Sequence, residues 1–293
     1  MNKQLTIVIP AYNEESSLSR YLSEVTGFCD ENAYDLIIVD DGSKDKTHQI
    51  IENAFEKTAY KLIHHKLNKG YGSAIKAGIK QAETDYVITI DADGQHQLTD
   101  VKKLLDKILE TDADMIVGKR KSAKSTLYRN LGRWTIKKIA GILLPLPISD
   151  LNSGMKIYRS DLAKEYIKIC PDTMAFSDVI TLVFIQEKNL VLEEEIEISE
   201  RLGGESTINT MTAVDTVKEI LNIVMLFNPM RIFFPLSVFF VGLGFLWGIP
   251  FILLKRGVST GSLMAVMIGM LFFLLGLIAE QLSQIRKGRD GES

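Results

Sequence analysis

Tyr86-Val-Ile-Thr-Ile-Asp91-Ala-Asp93-Gly-Gln95-His96 is the stretch of sequence that decides the fold. Its first five residues are β-branched or aromatic, which is typical of a buried strand in a parallel sheet. Two carboxylates follow directly, and side-chain alternation along a strand makes Asp91 and Asp93 point the same way. Ligands of open α/β sheets bind outside the carboxyl ends of the strands. The stretch therefore predicts a core strand that presents two carboxylates to a ligand.

The two carboxylates indicate a cation. Like charges this close together are unfavourable unless something neutralises them. A hard divalent cation does so, and it typically keeps positions for water and substrate phosphates. Gln95 offers a further carbonyl oxygen. The alternative interpretation of Asp91 and Asp93 is an acidic turn without a ligand.

Alternation of strand-like and helix-like segments predicts an α/β fold with a mostly parallel, doubly wound sheet. The other predicted strands are 5–10, 35–40, 61–65 and 115–118, and Asn13 is a candidate N-cap of the first helix. Polar clusters at 10–14, 40–43 and 91–95 would gather at one edge of this sheet. The chain lacks both a P-loop motif and a Gly-x-Gly-x-x-Gly motif after its first strand. Neither a P-loop ATPase nor a dinucleotide dehydrogenase is therefore indicated.

The C-terminal part is strongly apolar. Ile232–Leu254 carries no charge over 23 residues, and Leu263–Leu282 carries only Glu280 over 20 residues. Each stretch is long enough to cross a bilayer core of about 30 Å as a helix. We expect a transmembrane hairpin, with a pair of buried core helices as the alternative. Residues 212–227 carry an amphipathic stripe, which predicts a helix on the membrane face or an ordinary core helix.

The expected layout places the α/β domain at 1–211 and an amphipathic juxtamembrane helix at 212–230. Two transmembrane helices would follow within 231–285, at about 232–254 and 263–282, and then a tail at 286–293. Basic residues before the first span and after the second agree with a cytosolic position of both the domain and the tail, whereas Lys255 and Arg256 in the connecting loop oppose it. No signal peptide precedes the first strand, so we expect a multi-pass protein of the cell membrane whose large N-terminal domain is cytosolic.

A basic stretch, residues 119–138, contains eight basic residues and no acidic one. Arg129, Arg133 and Lys137 would share one helical face. This face indicates a phosphate or anionic-lipid surface, with a solvated helix face as the alternative. The net charge of −3 does not indicate a nucleic-acid partner, and the two cysteines do not indicate a disulfide framework.

Six motifs in order resemble those of family 2 glycosyltransferases with the GT-A fold. The chain is most similar to polyprenyl-phosphate sugar transferases, the group that includes dolichol-phosphate mannose synthases and bactoprenol glucosyltransferases. The motifs are Pro10-Ala-Tyr-Asn-Glu-Glu15, Asp40-Asp-Gly-Ser43, Asn68-Lys-Gly-Tyr-Gly72, Asp91-Ala-Asp-Gly-Gln95, Asp150-Leu-Asn-Ser-Gly154 and Glu200-Arg-Leu-Gly-Gly-Glu-Ser206.

The resemblance implies a role for each matched position. Asp91, Asp93 and Gln95 would hold Mg²⁺ or Mn²⁺, and Asp93, Asp150 and Arg201 would be catalytic. Ser153 would bind the acceptor phosphate together with Arg129 and Arg133. The residues that would bind the nucleotide-sugar are Pro10, Ala11, Tyr12, Glu14, Asp41, Gly70, Asp91, Ala92, Asp93 and Arg201.

The chain departs from the family pattern near Asp150. Many relatives carry Arg where Ser149 stands, and many carry Phe-Arg where Met155 and Lys156 stand. Arg binds phosphate with a planar fork that Lys lacks. Arg129 and Arg133 are therefore our substitutes for the missing phosphate ligands. The four histidines carry no predicted catalytic role: His96 is expected to be structural, and His48, His64 and His65 are assigned none.

The resemblance implies inverting transfer of a sugar from a UDP- or GDP-sugar to a polyprenyl phosphate, such as undecaprenyl or dolichol phosphate, in cell-envelope glycosylation. Asp150 is assigned to positioning first and to base catalysis second. A processive polysaccharide synthase is one alternative, although Asn130 replaces the Gln of its Gln-x-x-Arg-Trp motif. A non-catalytic scaffold that binds nucleotide-sugars is another. A homo-oligomer is left open.

Overall fold

The computed structural model describes residues 3–56, 58–120, 148–199, 224–225 and 228–289. These residues form two compact units, an α/β unit up to residue 199 and a helical unit from residue 224. Arg129, Arg133, Arg201 and most of the predicted amphipathic helix at 212–230 lie outside the described residues. Their assigned roles stay predictions.

The first unit contains a seven-stranded sheet with the order β3-β2-β1-β4-β6-β5-β7. Its members are β1 (Leu5–Ala11), β2 (Asp35–Asp40), β3 (Lys61–His64), β4 (Tyr86–Thr89), β5 (Met115–Arg120), β6 (Lys156–Arg159) and β7 (Val191–Ile196). Among the strand pairs of the described residues, only β4–β6 and β5–β6 are antiparallel. Val87 and Ile88 of β4 are fully buried, as expected for a strand covered on both faces.

Helices cover both faces of the sheet. They are α1 (Glu15–Asn32), α2 (Thr47–Phe55), α3 (Tyr71–Gln81), α4 (Leu98–Thr111), α5 (Ser160–Tyr166) and α6 (Phe176–Gln186). The apolar stripe of α4 packs into the main core. The predicted α/β class with a mostly parallel, doubly wound sheet is confirmed.

One local prediction is wrong. Asn13 does not cap the first helix, because α1 begins at Glu15 and Glu14 occupies the N-cap position. Asn13 instead adopts a φ of 54°, and its side-chain oxygen accepts a hydrogen bond from the Lys44 amide at 2.8 Å. Asn tolerates this left-handed conformation better than most residues. Its side chain therefore links the turn after β1 to the loop after β2.

The second unit is a hairpin of α7 (Met230–Leu253) and α8 (Thr260–Arg289). Residues 230–253 and 260–285 are long and apolar enough to cross a membrane, and only 17% of each apolar window is buried. A core helix of a soluble protein would be mostly buried. The predicted pair of apolar C-terminal helices is therefore confirmed, with both helices longer than the predicted spans.

Glycines let the two helices of the hairpin approach closely. A Cβ atom at Gly244 would lie 2.6 Å from the side chain of Val266, and one at Gly269 would lie 2.6 Å from that of Val241. Small residues at such contacts are typical of helix packing in membranes. The apolar side chains that point away from this seam supply the outer surface of the hairpin.

Candidate functional site

The carboxyl ends of β1, β2, β4 and β5 lie at one edge of the sheet, since these strands share one direction. The antiparallel strand β6 begins at the same edge, where Lys156 pairs with Thr89. The polar motifs that follow β1, β2 and β4 and the Asp150 segment that precedes β6 therefore converge. We call this convergence the strand-end site.

Asp41 holds the glycine-rich loop at the strand-end site. Its carboxylate accepts hydrogen bonds from the Lys69 amide at 3.0 Å and the Gly70 amide at 2.8 Å. The Nδ1 atom of His65 lies 2.7 Å from the same carboxylate. Gly70 has a φ of 102°, and a Cβ atom there would lie 2.4 Å from the carbonyl oxygen of Asp172. The loop thus requires glycine at position 70 and an acceptor at position 41.

The turn after β1 supplies the first predicted donor residues. Pro10 and Ala11 are buried, whereas Tyr12 is 37% exposed. The Glu14 amide donates to the Thr47 hydroxyl at 2.9 Å, and the Glu14 carboxylate accepts from Ser17 at 2.8 Å. These bonds fix the turn against α2 and leave the Tyr12 side chain at the surface.

Asp91 and Asp93 each accept a hydrogen bond from within the site. The Tyr71 hydroxyl donates to Asp91 Oδ1 at 3.0 Å, and the Gln95 amide donates to Asp93 Oδ1 at 3.1 Å. The side-chain amide of Gln95 donates to the Ser199 carbonyl at 3.3 Å. Burial and the charge of Asp91 raise the pKa of Tyr71 well above its usual value, so its hydroxyl remains a donor.

Gly154 packs against the carboxylate of Asp91. A Cβ atom at position 154 would lie 2.2 Å from Asp91 Oδ2 and 2.8 Å from its Cγ. The Thr89 hydroxyl also donates to the Gly154 carbonyl at 2.9 Å. The Asp150 segment and the Asp91 carboxylate are therefore in direct contact, and any side chain at position 154 would displace that carboxylate.

The chemistry of Asp91, Asp93 and Gln95 suits a hard cation. Two carboxylates and an amide provide only oxygen ligands, which Mg²⁺ and Mn²⁺ prefer. His96 is 5% exposed, and its Nδ1 atom accepts from the Asp91 amide at 3.4 Å. It therefore supports the turn from inside, consistent with its expected structural role.

Asp150 is paired with Arg120 at the end of β5. The guanidinium binds both carboxylate oxygens, through Nε at 2.9 Å and through Nη2 at 2.8 Å, and the Arg120 amide adds a bond of 3.2 Å. Burial alone would raise the pKa of Asp150. The hydrogen bonds and charge of Arg120 outweigh burial and hold this pKa below its usual value. Asp150 is therefore ionised at neutral pH and a weak base.

Glu193 of β7 supports the Asp150 segment from the other side. It accepts hydrogen bonds from the Asp150 amide at 2.9 Å, from the Ser149 hydroxyl at 3.0 Å and from the Ser149 amide. Burial would raise the pKa of Glu193, but these amide donors and Lys119 lower it. The position that departs from the family pattern, Ser149, is thus held by a carboxylate.

Lys156 is fully buried and serves the fold. Its ammonium donates to the Leu151 carbonyl at 2.6 Å, to the Thr181 hydroxyl at 2.9 Å and to the Ser177 carbonyl. Burial lowers the pKa of Lys156 to about 7. Its amine therefore faces the loop after Asp150 rather than solvent.

Ser153 is also fully buried, and its hydroxyl donates to the Met155 carbonyl at 3.3 Å. Contact with an acceptor phosphate would require this hydroxyl to become exposed, and the role assigned to Ser153 stays a prediction. Glu193 and Tyr71 are polar partners at this site that the sequence did not single out. Arg120 belongs to the basic stretch, but the sequence did not predict its pairing with Asp150. The glycine-rich motif contains Tyr71, but Glu193 carries no local signal.

Two family models match the chain. The model described as "Glycosyl transferase family 2" matches residues 6–167, more than half of the chain. The model described as "GtrB C-terminal hairpin" matches residues 228–285, which include α7 and most of α8.

Curated relatives include two enzymes named for polyprenyl phosphates. The undecaprenyl-phosphate 4-deoxy-4-formamido-L-arabinose transferase of Aeromonas hydrophila is 30% identical over 71% of this chain and 64% of its own length. The dolichyl-phosphate beta-glucosyltransferase of Dictyostelium discoideum is 28% identical over 66% of this chain and 65% of its own length. The chain thus spans slightly less than two thirds of these relatives.

Solved structures with the same fold include two transferases. A glucosyl-3-phosphoglycerate synthase from Mycobacterium tuberculosis, in complex with Mn²⁺, uridine diphosphate and phosphoglyceric acid, has a TM-score of 0.58 at 14% identity and covers 76% of this chain and 78% of its own. S. aureus TarS 1–349 in complex with UDP-GlcNAc has a TM-score of 0.53 at 20% identity, over 76% of this chain and 66% of its own. At these identities the likeness concerns the fold alone.

Proposed function

Because this chain belongs to glycosyl transferase family 2, we propose that it transfers a sugar from a nucleotide-sugar to a polyprenyl phosphate at a membrane, with inversion at the anomeric carbon. The observation that carries the proposal is the contact between Asp91 and Gly154. It joins the carboxylate pair after β4 to the Asp150 segment. A donor diphosphate and an acceptor bound at these two elements would be neighbours.

The donor would bind along the ends of β1, β2 and β4. In this proposal Tyr12, Asp41 and Gly70 contact the nucleoside, with Pro10, Ala11, Glu14 and Ala92 shaping its pocket. Asp91, Asp93 and Gln95 would hold Mg²⁺ or Mn²⁺, which supplies positive charge against the donor diphosphate. Arg201 would add a further positive charge as the leaving group departs. The complexes of the structural neighbours with UDP and with Mn²⁺ support this arrangement.

The acceptor phosphate needs no strong base. A phosphate monoester has a second pKa of about 6, so its oxygen is already ionised near neutral pH. Asp150 is held as a carboxylate by Arg120, and its lowered pKa makes proton removal unfavourable. We therefore assign Asp150 to positioning, through the orientation of Arg120. Arg129, Arg133 and Ser153 remain the proposed phosphate ligands.

The hairpin would anchor the enzyme where the acceptor headgroup lies. The names of the polyprenyl-phosphate relatives and the match to the hairpin model support a membrane substrate. We propose that both helices span the bilayer and that the catalytic unit faces the cytosol. Arg231 in the first turn of α7 and the basic residues after residue 285 support that orientation.

The experiment follows radiolabelled sugar from a panel of UDP- and GDP-sugars into organic-extractable polyprenyl phosphate, with and without EDTA. Asp93→Asn is the test variant. Asp112→Asn is the matched control, because Asp112 is exposed and its φ of 50° also suits Asn. Metal-dependent label in the lipid phase, lost in Asp93→Asn alone, is the expected result.

Other outcomes would point to other functions. A water-soluble polymer would indicate a processive synthase, and binding without turnover would indicate a scaffold. No lipid label from any donor, with folded protein and acceptor present, would overturn the proposal.

A further inference from the structure

A cluster of nitrogen and oxygen ligands lies beside the strand-end site. Asp40 is the last residue of β2, His64 is the last residue of β3, and His48 is the second residue of α2. One ligand atom from each of the three lies within 4.8 Å of the other two. We call these residues the histidine cluster. It contains none of the residues proposed to bind the sugar donor, the acceptor phosphate or the cation at Asp91 and Asp93.

The two imidazoles converge on a single carboxylate oxygen. Asp40 Oδ2 lies 2.9 Å from Nδ1 of His64 and 3.2 Å from Nδ1 of His48. The other oxygen, Oδ1, accepts a hydrogen bond from the Ser43 amide at 3.0 Å. Asp40 is fully buried, so its carboxylate cannot exchange these partners for bulk water.

Hydrogen bonding does not account for the position of His48. Its Nδ1 atom is buried, yet it makes no hydrogen bond of suitable geometry with any residue in the described ranges. The 3.2 Å distance from this nitrogen to Asp40 Oδ2 is short enough for a hydrogen bond, so it is the hydrogen-bond angle that is unsuitable. The rings of His48 and His64 are tilted by 52°, with centroids 4.3 Å apart. A buried nitrogen without a hydrogen bond requires an explanation, and coordination of a metal ion together with the neighbouring carboxylate is one that fits this position.

The separations suit a tetrahedral zinc ion. Bonds of about 2.05 Å from zinc to nitrogen or oxygen put neighbouring ligand atoms about 3.3 Å apart. The two distances to Asp40 Oδ2 require only a few tenths of an ångström of adjustment. Three protein ligands leave a fourth position for water or a small ligand. The half-exposed imidazoles give that position access to solvent.

The framework already holds the ligands in place. Asp40 and His64 are register partners in adjacent parallel strands, and His48 comes from the first turn of a helix packed on that sheet. Ligands on strands and helices are positioned more accurately than ligands on loops.

We propose that the histidine cluster binds one Zn²⁺ ion, a second cation site distinct from the one at Asp91 and Asp93. Imidazole nitrogen favours zinc over magnesium, whereas the all-oxygen set after β4 favours magnesium or manganese. The two sites are separated by β1, a distance of about 10 Å. Zinc would tie α2 to the ends of β2 and β3, next to the loop that Asp41 holds.

The test uses the full, tag-free chain in detergent, stripped with EDTA and desalted. Zn²⁺ is titrated in competition with a chromophoric chelator, and Co²⁺ absorption reports the coordination. His48→Gln and His64→Gln each remove one nitrogen ligand. His65→Gln is the matched control, because its ring contacts Asp41 rather than Asp40.

One equivalent of Zn²⁺ is expected in the natural chain and in His65→Gln, with affinity at least about tenfold weaker in His48→Gln and His64→Gln. Zn²⁺ binding should persist in the double variant Asp91→Asn/Asp93→Asn, because the histidine cluster does not use these two carboxylates. Zn²⁺ should raise the melting temperature of the natural chain, and this rise should be lost in His48→Gln and His64→Gln. Without metal, the melting temperatures of these two variants should stay close to that of the natural chain. Absence of binding, equal loss in His65→Gln, or unchanged affinity in both test variants would overturn the proposal.

Discussion

Replacing Gly154 by alanine places a methyl group against the carboxylate of Asp91. The added Cβ atom would lie 2.2 Å from Asp91 Oδ2, whereas an ordinary contact is about 3.5 Å. The carboxylate must therefore move by more than about 1 Å. Gly154 does not have a positive φ, so alanine introduces no backbone strain there and the effect is local to Asp91.

A displacement of about 1 Å at a reacting site costs on the order of a hundredfold in rate, or ~2.7 kcal/mol. We therefore expect Gly154→Ala to lower kcat/KM for sugar transfer about a hundredfold and to raise the Mg²⁺ or Mn²⁺ concentration needed for half-maximal rate. The assay is lipid-phase label across a metal titration.

Gly27→Ala is the control for Gly154→Ala. Gly27 lies within α1, and a Cβ atom there would meet nothing within 4 Å. Gly27→Ala should leave the rate of sugar transfer unchanged and stabilise α1 by about 0.5–1 kcal/mol. If Gly154→Ala keeps kcat/KM within twofold and the same metal requirement, the steric argument is refuted.

Three further predictions concern stability in detergent. Arg120→Gln should lower the free energy of unfolding by about 1–2 kcal/mol at pH 7, since the pair is partly exposed. The folded pKa of Asp150 is lowered, so this stabilisation is fully present above about pH 4 and declines as the pH falls towards the folded pKa; a difference in denaturant titrations that is as large at pH 3 as at pH 6 would contradict the assignment. Lys156→Ala should cost about 2–4 kcal/mol by the same measurement, because it removes the donor of the Leu151 carbonyl and leaves a buried cavity, and a cost below 1 kcal/mol would exclude that role. Gly244→Leu should destabilise the hairpin by about 1–3 kcal/mol, because a Cβ atom there would lie 2.6 Å from a methyl group of α8. Gly242→Leu is the control, because a Cβ atom at that position meets nothing within 4 Å. Equal melting temperatures of the two variants would refute the predicted helix packing.

The sequence predicted most of the sheet because its strands are short apolar runs between turn signals. Tyr86–Thr89 and Leu5–Ala11 are such runs, and their carboxyl ends carry the polar motifs. Periodicity also predicted α4 from its apolar stripe. These features are local, so a single chain segment contains the information that specifies each of them.

The partners of Asp150 could not be predicted in the same way. Strand β6 inserts antiparallel between β4 and β5, and this order brings Arg120 to a residue 30 positions away. Glu193 reaches the same segment from β7. The burial of Lys156 likewise depends on α6 packing over β6, although its motif position indicated a phosphate ligand. Tertiary packing, not local pattern, determines these contacts.

The hydrogen bonds of Asp41 bear on the choice of nucleobase. A carboxylate has about four acceptor positions, and His65, Lys69 and Gly70 occupy three of them. In the proposed role of Asp41, one position remains for the base. Uracil presents one donor to a carboxylate, its N3–H, whereas guanine presents two, N1–H and the N2 amino group. Guanine would need an acceptor outside Asp41 for its second donor, at a cost of about 1–3 kcal/mol if it finds none, so within the proposed role the bonds that shape the glycine-rich loop favour uridine over guanosine donors.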